Sequence, residues 1–79
     1  MGSAYMIAAA VTATERVQAE VLKTFDALNG FCSGVNPFGV FSDPCRQRAC
    51  LAAAREAIER AETIMQETAW PAPEDYNAA

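Results

Sequence analysis

The stretch Asp43–Trp70, DPCRQRACLAAAREAIERAETIMQETAW, decides the fold. Asp43-Pro44 is a helix start. The residue before a proline is pushed out of the α region, aspartate is a preferred N-cap, and proline is tolerated at the first helical position. No Gly or Pro then interrupts the run until Trp70-Pro71. Leu51, Ala54, Ile58, Ala61 and Met65 recur at three- and four-residue spacing, with Cys50, Ala57 and Ile64 beside them. That is the apolar stripe of one helix, over about residues 44–70.

Upstream lies a second helical pattern, over about residues 4–28. Ile7, Val11, Thr14, Gln18, Val21, Phe25 and Leu28 keep a four-and-three alternation, while Glu15, Arg16, Glu20 and Lys23 fall on the other side. Thr12-x-x-Glu15 fits a capping box and offers a later start, but Ile7 and Val11 stay in phase with the stripe and favour the longer helix. Asn29-Gly30 is expected to end it, glycine being suited to a left-handed C-terminal position.

Between the helices, residues 30–42 form a loop longer than the roughly 2–8 residues usual in helix bundles. It carries Phe31, Val35, Phe38, Val40 and Phe41 among Gly and Ser. Asn36-Pro37-Phe38-Gly39 has the composition of a β-turn. The loop aromatics either plug the end of the hairpin or form a binding surface. Asn36-Pro37-Phe38 is also the tripeptide that EH-type adaptor domains bind, but a turn explains these three residues better. Residues 71–79 contain Pro71 and Pro73 and are expected to form an extended acidic tail, pinned by Trp70 and Tyr76.

Two helices and a folded loop make an all-α helical hairpin in a single domain of 79 residues. A chain of this size supplies only a few kcal/mol from one core, and many of its apolar residues are alanine. Each stripe can pack on the other helix and still leave apolar surface. Dimerisation into an antiparallel four-helix bundle is the simplest closure. The charge order on the second helix points the same way. Arg46 and Arg48 lie in its first turns and Glu62 and Glu67 in its last, both against the helix dipole, at a cost of about 0.3–1 kcal/mol each when exposed. Antiparallel pairing with a copy sets the cations opposite the carboxylates. Arg46, Arg48, Ala54, Ala57, Ile58, Ala61, Glu62, Met65 and Glu67 are therefore the expected dimer interface.

Charge also excludes function classes. The net charge is −4; up to Arg60 six acids balance six bases, and beyond it come Glu62, Glu67, Glu74 and Asp75 with no base. Such a chain lacks the clustered Lys and Arg that hold nucleic-acid phosphates. The apolar opening, Met1 to Val11, has no basic flank and is too short to span a bilayer. With three cysteines in an odd set, this suggests a cytoplasmic protein with reduced thiols.

Catalytic sets are missing. There is no His, so neither a cysteine nucleophile with its base nor a Glu-x-x-His metal cluster can be built. Glu56 and Glu59 are interleaved with Arg55 and Arg60 as a solvated face, with Glu56 and Arg60 at favourable i, i+4 spacing. Cys45 and Cys50 are five apart, on nearly opposite sides of a helix, and cannot clamp one metal from it. Cys45 sits in the first turn beside Arg46 and Arg48, a setting that favours thiolate, and pairing with Cys32 makes it a redox candidate. Gln18 and Thr14 on the first stripe and Gln47 on the second are polar residues of the kind that fix register.

The expected function is non-enzymatic and needs no cofactor: binding of another protein, as a homodimer, by a regulator, adaptor or inhibitor. Small acidic helical hairpins of phages and mobile elements offer a fold-level analogy. Phe31, Phe38 and Phe41, with Trp70 and Tyr76, are the expected anchors for the partner. The alternative is a thiol-based redox or metal-responsive module using Cys32, Cys45 and Cys50.

Overall fold

The computed structural model describes residues 2–78. Met1, at the head of the apolar opening, and Ala79, at the end of the tail, lie outside them. The chain forms α1 (Gly2–Cys32), α2 (Pro44–Glu67) and a short α3 (Pro73–Ala78). The two long helices pack side by side and antiparallel: Phe31 meets Gln47 near the loop, and Glu20 meets Arg60 halfway along. The result is a rod of 61 × 18 × 14 Å with a radius of gyration of 18.3 Å. A compact chain of this length has a radius nearer 12 Å. The hairpin therefore has a seam in place of a core.

Alanine fills that seam. The buried apolar residues are Ala10, Ala13, Ala54, Ala57 and Ile64, joined by the buried polar pair Glu20 and Gln47. On α1 the row Ala10, Ala13, Val17, Glu20, Thr24, Ala27, Phe31 repeats at three and four; on α2 the row is Gln47, Cys50, Ala54, Ala57, Ala61, Ile64. Small residues let two backbones approach closely, as in the tighter helix pairings. This corrects the expected phase of α1. The stripe of larger residues (Val11, Val21, Phe25, Leu28) lies one residue, about 100°, round from the seam and stays exposed. Glu20, expected on the solvated side, lies in the seam.

The C-terminal ends of α1 and α2 differ from expectation for local reasons. Asn29-Gly30 does not terminate α1, which runs on to Cys32. Gly30 instead sits against α2, where an added Cβ would stand 3.4 Å from the Cys50 thiol. Asp43 caps α2 as expected, its carboxylate accepting from the Arg46 N–H, with Pro44 following. α2 stops at Glu67, short of Trp70, because Thr68 turns extended. The Trp70 indole N–H then donates to the Met65 carbonyl at 2.9 Å, closing the helix end. The tail is not extended. Pro73 takes the first position of α3, where its missing N–H costs nothing, and the Asp75 carboxylate accepts from the Ala72 N–H at 2.7 Å, half of a capping box. No described helix is long and apolar enough to cross a membrane.

Candidate functional site

The loop is an ordered knob. The Gly39 N–H donates to the Asn36 carbonyl at 2.9 Å, and the Asn36 N–H donates to the Val40 carbonyl at 2.8 Å. The Asn36 side-chain oxygen accepts from the N–H groups of Phe38 and Val40. Gly39 has φ +81°, the left-handed conformation its lack of a Cβ permits. A bridge between Val35 and Phe41 forms the stem. Below it, Phe31 and Phe41 stack edge to face with centroids 5.1 Å apart. The three loop phenylalanines thus divide: two brace the stem, while Phe38 at the tip is 90 % exposed.

Gln47 ties this knob to the hairpin. Its amide nitrogen donates to the Phe31 carbonyl at 3.0 Å, satisfying one of the carbonyls that a helix leaves open at its C-terminus. Gly34 leaves the room for it, since a Cβ there would fall 1.7 Å from that nitrogen. The other Gln47 side-chain atom, Oε1, is buried without a partner among the described residues.

One side of the hairpin is charged. A groove along it is lined by Arg16, Glu20, Lys23, Glu56, Glu59, Arg60 and Glu67, among others. At its floor the Glu20 carboxylate accepts from Arg60 Nε at 2.7 Å and from Lys23 Nζ at 3.0 Å. Arg60 therefore bridges the helices, where an i, i+4 pair with Glu56 was expected. These hydrogen bonds, that of Arg60 foremost, hold the Glu20 carboxyl below its ordinary value of 4.5, against the opposing effect of burial. A carboxyl with a depressed folded value adds stability above its unfolded value and loses it as pH falls through the folded one. Glu20→Gln is therefore expected to melt lower than the parent at pH 7, with the difference shrinking as pH falls below 4.5. Thermal melts at pH 7 and pH 3 check this; an equal gap at both would mean the pair does not hold the helices.

The opposite side is apolar. In an antiparallel helix pair, the positions flanking the seam on a given side of each helix face one another. With Gln47 at Phe31 and Arg60 at Glu20, the register puts Leu28 near the level of Leu51, Val21 near that of Ile58 and Thr14 near that of Met65, with Val11 and Phe25 on the outer flank of α1. Phe25 is 57 % exposed and Ile58 46 %. Towards the free ends of the long helices this side is partly covered: Trp70 and Tyr76 line a small recess with Ile7, Val11 and Thr14.

The expected interface residues distribute over this geometry. Ala54 and Ala57 are buried in the intrachain seam and Ala61 is half-buried there, while Ile58 and Met65 belong to the apolar side. Arg46, Arg48, Glu62 and Glu67 are exposed, and among the described residues none of them is in an ion pair. Cys32 and Cys45 are exposed at the two ends of the loop segment, and Cys50 is half-buried against Gly30. No group of three His, Cys, Asp or Glu among the described residues is placed to hold a metal ion. Sequence spacing missed the Glu20–Arg60 tie and the exposed row Val21, Phe25, Leu28. Comparison with protein-family models, with curated proteins and with solved structures finds no match.

Proposed function

We propose that the chain is a non-enzymatic protein-binding module that works as a homodimer, two hairpins closing into a four-helix bundle. In that dimer, Phe38 is the anchor for another protein, which the module regulates, adapts or inhibits. The observation that carries this reading is the amount of surface left open. The chain exposes 5841 Å², whereas a compact monomer of 8.5 kDa exposes about 4,700 Å². The excess is of the order of the ~800 Å² that each partner buries in a standard interface. Fifteen large hydrophobic residues among those described stand well exposed, far more than scattered surface leucines account for.

Phe38 supports the second half of the reading. An aromatic side chain held out on a braced turn loses little freedom on binding, so its burial is not offset by the cost of ordering the loop. Hot spots are typically aromatic residues of this kind. Sedimentation equilibrium over a hundredfold concentration range, with reductant, tests the dimer. A mass of two chains is expected; a single-chain mass at every concentration would mean that the chain is not a homodimer.

A further inference from the structure

Resting on that homodimer, we infer that the second copy sits on the apolar side of the hairpin, over Val21, Phe25 and Leu28 of α1 and Leu51, Ile58 and Met65 of α2. Ala54 and Ala57 cannot serve, because they are already buried in the intrachain seam. The charged groove on the other side is unsuited, because covering it would desolvate Glu20, Lys23 and Arg60 together with their acidic neighbours. The apolar side carries charge only along its exposed rim, in Arg48, Arg55 and Glu62, with Gln18 between Val11 and Phe25.

Charge and shape both select a second copy as the occupant. Along the rim of this face on α2 runs the row Arg48, Arg55, Glu62, cationic towards the loop and anionic towards the free ends. A two-fold axis crossing α2 between Arg55 and Ile58 reverses the row, so Arg48 of each chain comes within about one turn of Glu62 in the other. Arg55 lies near the axis, at the exposed rim. The same operation sets Leu51 against the Met65 end of the copy and keeps Ile58 close to its own equivalent. Such a self-complementary patch is what a two-fold interface requires.

Ile58 lies close to the middle of the rod, beside Val21 of a helix that runs from Gly2 to Cys32. The copies therefore overlap along most of their length. The face ends where Trp70 and Tyr76 fold over Ile7 and Val11, so the tail fixes how far the copy can slide. The two Phe38 knobs then point out of opposite ends of the bundle.

Three variants examined by sedimentation equilibrium and circular dichroism test the placement. Ile58→Asp and Phe25→Asp, on different helices of the face, are each expected to raise the dimer dissociation constant at least about 100-fold, since burying a carboxylate in an apolar interface is costly. Both positions are half open in the hairpin, so helix content is expected to hold. Glu56→Lys, in the charged groove, is expected to leave the dimer intact. If the parent is a dimer and both Asp variants dimerise as well as it does, the placement is wrong while the homodimer stands. If Glu56→Lys alone breaks the dimer, the copy sits on the charged side. A parent that is monomeric throughout overturns the homodimer itself and leaves the face to a different protein.

Discussion

Replacing Ala57 by leucine is expected to destabilise the hairpin by about 1–3 kcal/mol, a typical cost of overpacking a closed site. Leucine at the next position, Ile58→Leu, exchanges one isomer for another without adding atoms and is expected to cost well under that. Ala57 is 0 % exposed at the centre of the seam, whereas Ile58 is nearly half open. Where small side chains set the approach of two helices, three extra carbons must push the backbones apart or take up a strained rotamer. Separation also pulls at the bond between Glu20 and Arg60, one turn away. For a chain whose whole stability is a few kcal/mol, a loss of this size shifts the urea midpoint markedly. Equal midpoints for Ala57→Leu and Ile58→Leu would mean that the alanine row is not where the helices meet.

Gly34→Ala is expected to cost about 1–3 kcal/mol, the penalty of leaving a buried polar group without its partner. Its Cβ would fall 1.7 Å from the Gln47 amide nitrogen and 2.9 Å from the carbon bearing it. The side chain would have to swing away, breaking its bond to the Phe31 carbonyl. Because that bond ties the loop to both helices, hydrogen exchange at Ser42 and Asn36, whose N–H groups close the stem, is expected to accelerate more than exchange in mid-α1. Unchanged stem protection in a stable Gly34→Ala variant would mean that Gln47 is not the tie.

The sequence made some of this legible and hid the rest for physical reasons. Asp43-Pro44 announced the start of α2, and Asn36-Pro37-Phe38-Gly39 announced the turn, because both are local signals read within four residues. The antiparallel hairpin followed from two long apolar repeats and a loop. Which stripe forms the seam did not follow. Hydrophobic spacing weights Val11, Val21, Phe25 and Leu28 above Ala10, Ala13 and Ala27, yet in a two-helix rod the small residues close the gap and the large ones are left outside.

Gly30 misled for the same reason, being read as a stop when it serves close packing against Cys50. Glu20 and Arg60 are forty positions apart, and no local spacing signals their pairing. The only trace was that Glu20 shares the three-and-four row of Ala13, Val17 and Ala27. Among the aromatics, Phe38 is exposed as a binding surface requires, whereas the role of Phe31 and Phe41 as a brace depends on a contact across the loop. The thiols carry no comparable structural argument: Cys50 is packing, and Cys32 and Cys45 lie at the two ends of the loop segment.

In the proposed dimer, two rods lie side by side on their apolar faces, overlapping near Ile58. Small-angle X-ray scattering of the parent chain, with reductant, reads mass and shape together and tests it most directly. The expected result is twice the single-chain mass with a largest dimension little beyond the 61 Å of one hairpin. A doubled mass with a dimension near twice that length would place the contact at the ends. A single-chain mass with a radius of gyration near 18.3 Å would contradict the pairing altogether.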